Sequence, residues 1–324
     1  MLNVASKLVL FFAILLGSQG ASAASLDTPA EGLNKILISL NDAQVDIKEV
    51  KNLKQVKIQI SGAGAEQVLL ERNDHVVELR LKASSSKDMF AATGGIAVNI
   101  QSPPIATDVF LYEGQVSLQG LSKSTLVRNL KGKISAKDSS GEIILSLQKG
   151  EVSLVSHTGS AKIESNRALV TVSKVNGDLA LENFAGDSTI DGSKGQLRIK
   201  TATGTTRVSK SSGSLQFEVG RGLLSSNDFS GRTDGEVQEA TVNLTLNADS
   251  EMNLKNQNGK ITISNSPQTS PSVSVNVEDG ELFVPGYLKI GREGNLKYVR
   301  GRLRGGEGGG SLVIRSAEGV VTLR

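Results

Sequence analysis

The chain of 324 residues has no cysteine and no tryptophan, and only 3% of it is aromatic. Without cysteine there are no disulfides and no thiolate metal site. The core must therefore be held by aliphatic packing and backbone ladders. Proline is scarce at 6 residues while glycine reaches 35, which argues for many tight turns rather than a disordered Pro/Gly-rich chain. Histidine is nearly missing too: His75 lies in a charged turn and His157 in a later turn, and neither has a second histidine at metal-ligand spacing. No GxxxxGK[ST] loop and no GxSxG elbow occurs. With three tyrosines, a sugar-stacking groove of the kind carbohydrate-active enzymes use is poorly supplied. Nucleic-acid binding wants basic residues interleaved with aromatics, a pattern hinted at only by Tyr287 and Tyr298 among the C-terminal basic residues, and the export signal at the N-terminus argues against it.

Long apolar runs are also absent, except at the start. Lys7 precedes the nine-residue run Leu8–Leu16, and Ala21-Ser22-Ala23 gives an A-x-A cleavage site. The run is too short to span a bilayer, so 1–23 is expected to be a secretory signal peptide and Ala24 the mature start. That places the protein outside the cytoplasm, in the periplasm or at the cell surface. No transmembrane segment is expected after cleavage.

What is present is a rhythm. Glycine recurs every nine residues at Gly132, Gly141, Gly150 and Gly159, then from Gly177 through Gly186, Gly195, Gly204, Gly213 and Gly222 to Gly231, with Ala168 in the one gap. The second and fourth residues after each glycine are mostly aliphatic, as in Val152 and Leu154 or Leu197 and Ile199. The unit reads as a five-residue alternating strand and a four-residue polar turn. Stacked turns of this kind place glycine where a positive φ or a close backbone approach is needed. The fold class expected is all-β, a single-chain β-solenoid (β-helix or β-roll) in which neighbouring rungs bury one another's apolar faces. The residues before each glycine favour a coil of eighteen: Ser140, Thr158, Asn176 and Lys194 form one set, and the more basic Lys131, Lys149 and Arg167 another. A rival step of twenty-seven exists in Val175, Ala202 and Phe229.

Along the chain, 24–34 reads as a short leader and 35–113 as less regular strands. Residues 114–284 are the regular repeat core, and 285–324 a Gly/Arg-rich excursion with closing strands. The only helix-like stretch is Ser84 to Thr93. Net charge is +3, but from residue 285 onward eight basic residues face three acidic ones. Arg300, Arg302 and Arg304 are the candidate partner-binding patch, against the alternative of a solvated loop. Nonapeptide repeats that bind calcium need aspartates at a fixed offset, and here the offsets differ. Only Gly186–Gly192, with Asp187 and Asp191, offers oxygens for a single Ca²⁺, and satisfied turn aspartates are the simpler reading. No catalytic residue, cofactor or metal is assigned.

Three stretches resemble a known bacterial family, the "putative adhesin" β-strand-repeat proteins. They are VNIQSPPIATDVFLYEGQVSLQG (98–120), glycine-led units such as SSGEIILSL (139–147) and VNGDLALENFAG (175–186), and the closing GGGSLVIRSAEGVVTLR (308–324). The resemblance covers roughly 35–324 and implies a β-solenoid at the envelope or surface, with no catalytic residues to carry over. The function expected is an exported non-enzymatic binding or scaffold surface whose partner is an envelope protein or polysaccharide. The alternative is a carbohydrate-active β-helix enzyme, which a groove holding convergent carboxylates would support. End-to-end polymerisation through uncapped rungs is a third possibility, with the excursion at 285–310 as a cap against it.

Overall fold

A computed structural model describes residues 23–82, 95–247, 249–307 and 309–324. Residues 1–22 of the expected signal peptide and the helix-like stretch Ser84 to Thr93 lie outside the described residues. The described chain is all-β, with one short 3₁₀ turn at Ala65–Gln67. It forms two compact units, Met1–Gly150 and Glu151–Arg324.

In the first unit the strands are β1 (Ala23–Pro29), β2 (Lys35–Glu49), β3 (Gln55–Ser61), β4 (Val68–Asn73), β5 (Val76–Leu81), β6 (Ile96–Ser102), β7 (Ala106–Gln119) and the start of β8 (Thr125–Asn176). The segment expected as a leader thus contains β1, paired antiparallel with β3. Burial along β2 alternates through Ile36, Ile38 and Leu40, then skips a step to Ala43, Val45 and Ile47. The skip is a corner at Asn41-Asp42, and it lets one strand serve two ladders. The first half of β2 pairs in parallel with β5 and β7, the second with β6 and β7. β7 then pairs in parallel with β8 at an eighteen-residue step, Val109 on Val127 and Val116 on Ile134. Antiparallel partners, β4 on β5 and β3 on β6, flank this parallel set.

In the second unit, alternate strands build two parallel ladders. One holds β9 (Leu179–Ala185), β11 (Lys194–Thr203), β13 (Ser212–Val219), β15 (Ser230–Val237) and β17 (Glu251–Asn256). The other holds β10 (Ser188–Asp191), β12 (Thr205–Ser209), β14 (Leu223–Asn227), β16 (Thr241–Leu246) and β18 (Lys260–Asn265). Leu179, Leu197 and Leu215 stack at steps of eighteen, the coil length the sequence favours over twenty-seven. The step stretches to nineteen where Thr233 meets Met252. Inward residues of both ladders are fully buried, Leu197 and Leu215 in one, Ile190 and Val208 in the other.

The last strands do not follow sequence order. They are β19 (Ser272–Val277), β20 (Glu281–Phe283), β21 (Gly291–Glu293), β22 (Leu296–Arg302), β23 (Ser311–Ser316) and β24 (Val320–Leu323). β23 lies between β17 and β19, in parallel with both, and β24 lies between β18 and β20. The chain terminus is therefore an interior rung. β22 runs antiparallel to β19 and folds back as a hairpin with β21, so the excursion after Val284 ends the parallel ladder at this edge.

Within each unit the glycines stack in columns. A Cβ on Gly132 would stand 1.8 Å from the carbonyl oxygen of Gly114, and one on Gly195 would stand 2.3 Å from that of Gly177. Their φ values, +135° and +126°, lie where L side chains rarely go. Both reasons for glycine hold at once. Corner polar groups add local ties: the Asn183 amide donates to Ala168 O (3.1 Å) and Ser188 Oγ (2.9 Å), and Asn129 donates to Gly114 O (3.0 Å).

Gly235 is a glycine for a different reason. It is paired with Phe217 in the adjacent strand, and a Cβ there would meet the ring at 2.1 Å. The missing side chain is the space in which the buried Phe217 ring lies. Gly235→Ala should cost about 1–3 kcal/mol by overpacking. Urea unfolding should show most of that loss recovered in the Phe217→Leu, Gly235→Ala double variant, because leucine vacates the space; an additive loss would place the strain elsewhere.

Candidate functional site

Alternation makes one ladder of the second unit a display face. Residues Ala180, Arg198, Gln216, Asp234, Asn253, Val313, Ser274 and Arg300 follow one another across adjacent strands as one outward column. Glu182, Lys200, Glu218, Glu236, Lys255, Arg315, Asn276 and Tyr298 form the next column. Strands stand ~4.8 Å apart, so each column is a regular array of side chains.

The face has two halves of different chemistry. Over β9 to β17 it forms a shallow trough of about 540 Å³ whose rims carry both signs of charge. Here the charges neutralise each other: Lys200 Nζ lies 2.8 Å from Glu218, Lys255 Nζ 2.9 Å from Glu236, and Arg232 Nε donates to Asp234 Oδ2 at 2.7 Å. The hydrogen bond from Arg232 holds the Asp234 carboxyl below its usual range, against the opposing effect of partial burial. Hydrogen bonding to Glu218 raises the Lys200 ammonium in turn. Beyond β17 the balance changes. The three adjacent strands β23, β19 and β22 contain no Asp or Glu. They present Arg315, Arg300 and Arg302 among Ser272, Ser274, Ser311 and Asn276, with the Tyr298 ring lying over Gly291.

Two of the three arginines singled out from the sequence, Arg300 and Arg302, lie on this face and are exposed. Arg304 does not join them. The strand ends at Arg302, and the Arg304 guanidinium stacks on the Tyr287 ring at 4.4 Å while its backbone N–H donates to Tyr287 Oη at 2.9 Å. Arg315 takes its place, and sequence order hid it because β23 is inserted out of turn. The sequence reading also missed the trough carboxylates Glu218, Asp234 and Glu236. Their eighteen-residue spacing (Glu218 to Glu236) was the available signal.

The other candidates are structural ties. Asp187 Oδ1 accepts from the Thr205 N–H at 3.0 Å, and Asp191 Oδ1 accepts from Ser209 Oγ at 2.7 Å, so both turn aspartates fasten the next rung. His75 Nδ1 lies 2.9 Å from Gly32 O, and the buried His157 has Nε2 3.3 Å from Ser160 O. Among the described residues no group of three or more His, Asp or Glu is placed to hold a metal ion.

No protein-family model matches the chain, and no curated protein does. Solved structures give distant likenesses. A "putative cell adhesion protein" from Clostridium sporogenes is 11% identical over 94% of this chain and 99% of its own, with a TM-score of 0.21. A "putative adhesin" from Bacteroides fragilis is 10% identical over 93% and 97%, at 0.25. Another from Parabacteroides distasonis is 12% identical over 94% and 97%, at 0.33. Likeness at this level leaves the function to be argued from the chain itself.

Proposed function

We propose that the chain is an exported, non-enzymatic β-solenoid of eighteen-residue coils, and that the outward ladder face of its Glu151–Arg324 unit is an adhesin-like binding surface in the cell envelope. The repeated unit runs through 35–324, after a signal peptide cleaved before Ala24. The observation that carries the binding role is the acid-free end of the face. Three neighbouring strands offer Arg300, Arg302 and Arg315, serines and an asparagine, with no carboxylate to neutralise them. Such a surface fits an anionic envelope polysaccharide, since a flat array of hydrogen-bonding and cationic groups matches repeating acidic units.

Retention on immobilised polygalacturonate tests this. The Arg300→Ser, Arg302→Ser, Arg315→Ser variant should bind roughly ten- to hundred-fold more weakly at low salt, each exposed ion pair giving up to about 1 kcal/mol. Retention unchanged by all three would remove this face as the site.

A carbohydrate-active enzyme is the second reading, and one observation favours it: the trough brings Glu218, Asp234 and Glu236 onto adjacent strands. Glycoside hydrolysis needs one carboxyl held protonated and one ionised. Asp234 is held as the anion, and Glu218 and Glu236 are each tied to a lysine. Release of reducing ends from the same polysaccharide, abolished by Glu218→Gln, would establish the enzyme.

A further inference from the structure

Of the seven large apolar side chains that stand exposed among the described residues, three fall within eight consecutive positions: Phe283, Tyr287 and Ile290. Lys289 and Arg292 are exposed beside them. Between 283 and 304 there are six basic residues and one acidic residue, Glu293. The loop is held from below. The Leu288 N–H donates to Pro285 O at 2.9 Å, and Leu288 packs at Gly301, where its Cδ2 lies 2.9 Å from the position of an added Cβ. Tyr287 is fixed by Arg304 on its ring face and at its hydroxyl. So the segment is ordered by Tyr287 and Leu288, while Phe283 at the end of β20 and Ile290 just before β21 are exposed.

Large apolar side chains exposed singly need no explanation, but three within eight positions beside cations form a patch that does. Of the three, only the Phe283 ring is left free to stack on a sugar, since Tyr287 carries Arg304 on its ring and Ile290 has no ring to offer a glycan. Apolar tips ringed by cations are what an anionic bilayer surface accepts. The tips enter the boundary between headgroups and acyl chains, and the cations meet lipid phosphates.

We propose that segment 283–292 of the Glu151–Arg324 unit, from the end of β20 to the start of β21, docks the protein on an anionic lipid bilayer, with Phe283 and Ile290 as the inserted residues and Lys289 and Arg292 as the headgroup contacts. It uses different side chains from the ladder face, so either assignment stands or falls without the other.

The test uses the chain from Ala24 to Arg324 carrying Ile290→Trp, which introduces its only tryptophan. Phosphatidylcholine vesicles containing phosphatidylglycerol should shift the indole emission to the blue, and pure phosphatidylcholine should not. Adding Lys289→Ser and Arg292→Ser should weaken binding roughly twenty-five-fold, about five-fold for each cation. Adding Phe283→Ser instead should weaken it with the charges intact. Binding without an emission shift would mean attraction by charge without insertion of Ile290 and would overturn the proposal. So would no binding, or equal binding to neutral vesicles.

Discussion

Deleting residues 311–324 should unfold the Glu151–Arg324 unit cooperatively rather than fray its end. These residues form β23 and β24, which lie inside the two ladders and not at their margin. Leu312, Ile314, Val321 and Leu323 are all buried. At about 1.5–3 kcal/mol each, their removal forfeits roughly 6–12 kcal/mol. That is comparable with the whole stability of a typical domain, about 5–15 kcal/mol. The loss also cuts β19 and β20 from every parallel partner, since each meets the ladder only through β23 or β24. Urea unfolding followed by circular dichroism reads the midpoint, and limited proteolysis reads the exposure of 266–306. A truncated chain with an unchanged midpoint would mean that the last strands are peripheral. The same topology implies that this unit cannot complete its ladders until the final residues are available.

Substitution of one columnar glycine should be nearly as damaging as loss of a core side chain. At Gly132 the added methyl meets the Gly114 carbonyl oxygen, and at Gly195 it meets that of Gly177. These are backbone atoms locked in neighbouring rungs, so nothing flexible can move aside. Strain at the positive φ contributes about 1–3 kcal/mol, and overpacking a similar amount. Gly132→Ala and Gly195→Ala should each lose roughly 2–6 kcal/mol. Gly286→Ala is the control: it has open space around it and no positive φ, so its effect should stay within about 0.5 kcal/mol. Equal effects at all three sites would separate the glycine series from the stacking. The one natural departure fits this account, because Ala168 does not have a positive φ.

The glycine period made the strands, their buried faces and the eighteen-residue step legible in the sequence. It did so because the eighteen-residue register returns to the same close approach at each step, and a repeated steric demand leaves a repeated residue. A second eighteen-residue series of left-handed positions left only Gly120 and Gly192 as its trace. Asp138, Ser156, Lys174, Lys210 and Asp228 all adopt left-handed φ, and nothing about Lys174 or Lys210 announces it. The position of β23 was hidden for another reason. Ser272–Val277 and Ser311–Ser316 share one alternating pattern, so either could follow β17. Pattern alone then favours sequence order, which is wrong here. In sequence order Arg315 stands apart from Arg300 and Arg302 while Arg304 follows them directly, although the chain turns after Arg302 and stacks Arg304 on Tyr287. The acid-free end of the face emerges only once strands distant in sequence lie side by side.

The central claim is the eighteen-residue parallel register, and the absence of native cysteine makes it directly testable. Gln216 and Asp234 are paired across β13 and β15, within reach of a disulfide, whose Cα atoms stand about 4.4–6.8 Å apart. Replacing both with cysteine and oxidising under mild conditions should give a cross-linked monomer in high yield. Cysteines at Gln216 and Asn243, twenty-seven positions apart, should stay reduced, because Asn243 lies in β16 and pairs with Ser225. Cross-linking at twenty-seven with none at eighteen would contradict the register and the display face built on it.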